Sequence, residues 1–154
     1  MTGIVQYMTS SFKAEILSVQ HNFATAPRNV TGQDVFKIAL YSVAGGATLD
    51  AATIAYTTTG EISGTGYTAG GKALTITQTP TSSGTPSTTA YINFADISWT
   101  GASFSVDGAL IYNSTNGNKS VAVLNFGATK TVSAGTFTVV FPPAGTGSTI
   151  VQIA

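Results

Sequence analysis

The chain has 154 residues, no cysteine, six basic and six acidic side chains, and a net charge of zero. Charged residues make up 8% of it, against about 25% in a typical soluble domain. Those figures exclude disulfide frameworks, thiolate chemistry and thiolate zinc sites, and a 43% hydrophobic content argues against intrinsic disorder.

Helical periodicity occurs once. Ser10-Ser11-Phe12-Lys13-Ala14-Glu15-Ile16-Leu17 predicts a short helix capped by Ser11, with Phe12, Ile16 and Leu17 on one face, ending before His21. Residues 22–33 are turn-rich. Val35 to Tyr41 reads as a strand with Phe36, Ile38 and Leu40 on one face. Residues 44–71 are irregular, with one helical turn expected over Leu49 to Ile54 and a glycine-rich stretch from Gly60 to Gly71. Strand signals then recur at Ala73–Gln78, Ala90–Trp99 with a bulge near Ala95-Asp96, Phe104–Val106, Gly108–Tyr112, Ser120–Phe126, Thr136–Phe141 and Thr149–Ile153. Residues 79–88, rich in Thr, Ser and Pro, read as a loop. Asn116-Gly117 is the strongest hairpin turn.

This spacing predicts an all-β fold: an antiparallel β-sandwich, jelly-roll or immunoglobulin-like, of about seven or eight strands with one short N-terminal helix. Residues 1–20 read as an N-terminal arm and short helix, and residues 21–154 as a single sandwich domain. The expected core is Phe36, Ile38, Leu40, Leu74, Ile76, Ile92, Phe94, Trp99, Leu110, Val121, Val123, Phe137, Val139 and Ile150.

The residues offer little for chemistry. The lone His21 has no nucleophile elbow around any serine, and reads as a polar residue ending the helix. Glu15, Asp34, Asp50, Glu61, Asp96 and Asp107 are scattered, and capping and turn roles are expected for them. The Gly60–Tyr67 stretch lacks the Lys-Ser/Thr ending of a phosphate loop and reads as a structured loop. No catalytic residue, cofactor site or metal site is expected. The basic residues stand singly, which argues against nucleic acid, and no apolar run reaches the length of a membrane span. No basic region followed by an apolar stretch opens the chain, so synthesis in the cytoplasm without a secretory signal is the expectation. With 26 Thr, 17 Gly and 15 Ser, the expected surface is neutral and association-prone. Tyr56, Tyr67, Tyr112 and Phe12 are the candidate interaction surface.

At Ser11–Glu15, Phe36–Tyr41, Gly60–Gly71 and Gly108–Asn113, the chain resembles a group of small structural proteins of tailed-bacteriophage virions. The resemblance runs from about Ser11 to Ala154 and is most specific from Glu61 to Gly71, while Ala26 to Gln33 is longer than the group implies and reads as an inserted loop. It implies a non-enzymatic virion component without cofactors. The expected role is a capsid decoration subunit that bridges capsomers as a symmetric homo-oligomer, three-fold positions favouring a trimer. Its expected partners are copies of itself and the phage major capsid protein or other virion proteins. The alternative is a neck, tail or fibre subunit that serves host attachment or tail assembly.

Overall fold

A computed structural model describes residues 3–24, 32–84, 87–143 and 149–153. The candidate insert over 26–33 therefore lies largely outside the described residues. The elements are β1 (Tyr7–Met8), α1 (Ser10–Leu17), β2 (Phe36–Tyr41), β3 (Lys72–Ala73), β4 (Ile76–Gly84), β5 (Ser87–Phe94), β6 (Ile97–Asn113), β7 (Lys119–Val139) and β8 (Val151–Ile153). They form a five-stranded sheet in the order β1-β7-β6-β2-β3 and a three-stranded sheet in the order β4-β5-β8. Every strand pair is antiparallel. The fold class is the expected one, an all-β arrangement of two sheets with one short helix.

Strand boundaries depart from expectation where the chain changes sheets. The strand predicted over 73–78 is divided at Leu74-Thr75: β3 pairs with β2, while β4 pairs with β5. The strand predicted over 90–99 is divided at Ala95-Asp96, where a bulge was expected. The two corners lie side by side, with the Ala95 amide donating to the Thr75 carbonyl at 2.8 Å. Residues 79–84 and 87–88 are strand rather than loop, in a ladder that runs from Thr81–Tyr91 to Gly84–Ser87. Pro80 is tolerated because β4 is an outer strand and its register shifts there.

The strands expected between 97 and 141 merge into one hairpin, β6–β7, around Asn116-Gly117. The last pair is Asn113–Lys119. The Asn113 side-chain oxygen closes the turn by accepting the N–H groups of Thr115 and Asn116 at 3.0 and 3.1 Å. This ribbon curls. Phe126 and Phe137 stand eleven positions apart on β7, about 36 Å in a straight strand, yet their ring centroids are 6.0 Å apart. Register shifts between Trp99 and Ala102, Ala102 and Phe104, and Val106 and Gly108 produce the bend.

The main core lies on the inner face of the five-stranded sheet and contains Phe36, Ile38, Leu40, Ile92, Phe94, Trp99 and Val121. Of the expected core, Ile76, Phe137 and Ile150 are only partly buried, packing at its margin. A second cluster covers the outer face, where Ala39, Tyr41, Leu110 and Val123 meet Ile4, Ala47 and Leu49. Both faces of β2 and of the turn-proximal half of β6 are therefore buried.

Residues 3–20 pack against the five-stranded sheet. β1 pairs with β7, Ile4 and Phe12 are buried, and α1 packs on β7. The helix N-cap is Thr9, not Ser11. The Thr9 hydroxyl is fully buried 2.9 Å from that of Ser120, so it fastens the helix to β7 instead of capping it. Leu17 also leaves the expected apolar face and is 87% exposed.

Candidate functional site

Three of the four candidate interaction residues converge, but inward. Glu61 follows Gly60, whose carbonyl accepts the Ser42 amide at 2.9 Å, and the Ile62 amide donates to the Leu40 carbonyl at 3.0 Å. These bonds hold Glu61 against the edge of β2, bridged antiparallel to Tyr41. Its carboxylate accepts the Tyr56 hydroxyl (Oε2, 2.6 Å), the Tyr67 hydroxyl (Oε1, 2.6 Å) and the Gly70 amide (Oε1, 2.7 Å). The Tyr67 oxygen in turn accepts the Leu40 amide at 3.0 Å. Tyr112 donates to the Gly70 carbonyl at 2.7 Å and stacks on Tyr56 at 4.9 Å. Tyr41 donates to the Thr57 carbonyl at 2.6 Å.

Burial, then the neighbouring Glu61 charge, pushes the Tyr56 phenol up to about 12. The same two causes push Tyr41, Tyr67 and Tyr112 upward. The phenols therefore remain protonated and donating at neutral pH. Chemically the cluster is a staple: one carboxylate closes the loop over 56–70 on itself, and Tyr67 and Tyr112 bond that loop to β2 and β6.

Two glycines make that approach possible. A Cβ on Gly71 (φ +66°) would lie 1.8 Å from the Ile38 carbonyl oxygen, and one on Gly60 (φ +75°) 2.3 Å from the Ala47 amide nitrogen. The expectation of a structured loop holds at both positions.

Of the four interaction candidates, two lie inside the fold. Phe12 and Tyr112 are buried, and Tyr56 and Tyr67 are half-buried with their hydroxyls bonded internally. Aromatic rings in or beside glycine-rich loops read as exposed in the sequence, but this loop lies flat on the sheet and encloses them.

A second polar cluster surrounds His21, which is buried rather than ending the helix at the surface. Its Nε2 is 2.8 Å from Glu15, and its Nδ1 is 3.1 Å from the Asn113 side-chain nitrogen. Phe12, Phe23 and Phe36 pack around the ring. Because the Asn113 oxygen is committed to the turn amides, its nitrogen is the donor toward both His21 and Asp34. Lys119 reaches Glu15 at 2.7 Å. Burial raises the Glu15 carboxyl, but the hydrogen bonds from Lys119 and His21 more than offset it, and the net effect is a lowering. Of the serines near it in sequence, Ser11 lies against Ser120, and Ser18 bonds helix carbonyls.

The remaining acids hold backbone. Asp34 accepts the Asn22 amide at 2.8 Å, Asp50 the Ala52 amide at 2.8 Å and Asp96 the Phe141 amide at 2.8 Å. Asp107 accepts the Val43 amide at 2.7 Å and the Thr129 hydroxyl. Only Asp50 takes the expected turn role; the other three brace segments distant in sequence. Among the described residues, no three acidic or histidine side chains group as metal ligands would, and no helix is long and apolar enough to cross a membrane. Sequence reasoning missed Glu61 as a three-donor acceptor and the Glu15–His21 pair. The available signal was spacing: Tyr56 and Tyr67 stand five and six residues either side of a lone acid. The chain matches no protein-family model, no curated protein and no solved structure.

Proposed function

We propose that the chain is a non-enzymatic structural subunit of a tailed-bacteriophage virion, decorating the capsid as a symmetric homo-oligomer that bridges capsomers. The observation that carries this reading is the use of the charges. All six carboxylates accept hydrogen bonds from the chain's own groups, so the acids brace the fold. Part of what lies outside is a hydroxyl surface. Ser98 and Thr138, and Ser105 and Thr131, pair their hydroxyls across the exposed face of β6–β7. Such a surface suits close packing against neighbouring subunits without charge repulsion. A subunit that binds only the assembled shell lowers the shell's free energy by its binding free energy.

The alternative, a neck, tail or fibre subunit, places recognition in residues 44–71 and 79–88. Much of the first segment is stapled to the sheet and most of the second is strand, which favours decoration. The deciding measurement is copy number in purified virions by quantitative mass spectrometry. Hundreds of copies per particle are expected. A dozen or fewer places the protein at the neck or tail, and none in the particle removes the virion reading altogether.

A further inference from the structure

We propose that the curl of β7 forms a binding site for a small amphiphilic carboxylate, a short apolar tail carrying one negative charge. The bend that brings the Phe126 and Phe137 centroids to 6.0 Å leaves a groove of about 360 Å³ beside the two rings. Its lining is Phe126, Lys130, Phe137, Thr138, Val139 and Val140, all from β7 and the residue that follows it. The register explains how distant positions come to share one side. Lys130 and Phe137 are an odd number of positions apart, which in a regular strand points them to opposite faces. Between Val132 and Gly135, however, β7 advances three residues while β6 spans two, from Phe104 to Ala102. Ala134 takes φ +47° inside that bulge, and the alternation is exchanged across it.

The lining sets the chemistry of the ligand. Phe126 and Phe137 are half-buried, Lys130 is exposed and Val140 is 70% exposed. Covering such an apolar floor is favourable. Lys130 is the one charged residue of the six. Among the described residues the ion pairs are His21–Glu15 and Lys119–Glu15, so the Lys130 ammonium has no acid of its own. Asp107 stands next to Val106, the β6 partner of Lys130, but its carboxylate accepts the Val43 amide and the Thr129 hydroxyl. Apolar walls with a single polar group that fixes orientation are the usual make-up of a small-molecule site. The complement of this one is an anion joined to an apolar body.

Size and charge argue against the other occupants. The groove's volume is near the lower end of the range for ligand pockets, about 300–1,000 Å³, which sets a short tail. A stable protein interface takes about 20–30 residues from each side, and this groove offers six. A second copy docked groove to groove about a two-fold axis sets Lys130 against Lys130, with no acid in the lining to answer either. The inference stands on the curl of β7 and does not depend on the virion reading.

The test titrates octanoate, below its micelle concentration, into the full chain and follows methyl and amide NMR signals. Saturable shifts are expected at Phe126, Lys130 and Phe137–Val140, with a dissociation constant of about 1 mM, the scale for a ligand of so few atoms. Octanol, with the same tail and no charge, binds up to about fivefold more weakly, the scale of one exposed ion pair. Lys130→Gln brings octanoate down to the octanol value, and Val140→Asp abolishes the binding of both. The two side chains are exposed, so both variants keep the wild-type spectrum elsewhere. The proposal is overturned by shifts absent from the groove or spread over the whole surface, by octanol matching octanoate, or by octanoate binding that Lys130→Gln leaves unchanged. Tighter binding of a capped leucine-glutamate-leucine peptide than of octanoate overturns it in favour of a protein segment. Self-association that Val140→Asp abolishes also overturns it, because the groove is then an interface between copies.

Discussion

Two backbone positions carry opposite consequences. Gly71 lies where only hydrogen fits, with a left-handed φ and the Ile38 carbonyl oxygen 1.8 Å from where a Cβ would stand. Gly71→Ala is expected to lower unfolding free energy by about 3 kcal/mol or more, read by urea denaturation. Val19 is the reverse case. It holds φ +58° just past α1, where a β-branched side chain is strained, and it is 71% exposed. Val19→Gly is expected to raise the melting temperature, with a gain of about 1 kcal/mol. The glycine-rich run signalled the first position, because consecutive glycines announce close backbone approach. Nothing in the sequence signalled the second, since the helix ends by a carbonyl-capping geometry that Val ordinarily avoids. The tyrosines were recognisable as a group, but their direction was not. Tyr56, Glu61 and Tyr67 are neighbours in sequence, whereas Tyr112 joins them from β6 through the Gly70 carbonyl and the Tyr56 ring.

Among the elements, α1 is short, and tertiary contact rather than intrinsic propensity holds it. Its anchor is Phe12, fully buried against His21 and Phe23. Phe12→Ala is expected to destabilise the protein by about 3–5 kcal/mol in chemical denaturation, the range for a large buried ring. Alternation in the sequence located β2 and most of β6 and β7 because those strands face a core. It did not separate β3 from β4 or β5 from β6. Alternation runs on through Leu74-Thr75 and nearly through Ala95-Asp96, and only the pairing partner changes there. It also missed the outer part of β4–β5. Thr and Ser pair well as strands but show no apolar period when neither face is deeply buried.

For the whole molecule, the shifted groups set both ends of the pH range. Glu15 and Asp107 are lowered in the folded state, Asp107 chiefly by the Thr129 hydroxyl. The folded chain therefore binds fewer protons than the unfolded one in acid, and that stability is lost as pH falls below about 4.5. The raised tyrosines act oppositely, contributing stability below about pH 10 that is lost as pH climbs further. Melting temperature against pH is expected to form a plateau with both limbs, and Glu15→Gln to flatten the acid one. The curled β6–β7 ribbon also implies an order of assembly. Its pairs begin six residues apart at Asn113–Lys119 and widen to forty-two at Ile97–Val139, so the ribbon can zip outward from its turn. The loop carrying Gly71 has nothing to settle on until β2 has joined that ribbon. Gly117→Ala, at φ +61°, is therefore expected to slow refolding in stopped-flow experiments, and Gly71→Ala chiefly to speed unfolding. During synthesis the consequence is a delay: β1 leaves the ribosome early, yet its partner Val123 follows more than a hundred residues later. Until then the segment that becomes β1 and α1, with Phe12, has no surface to cover it and depends on the growing chain's own speed.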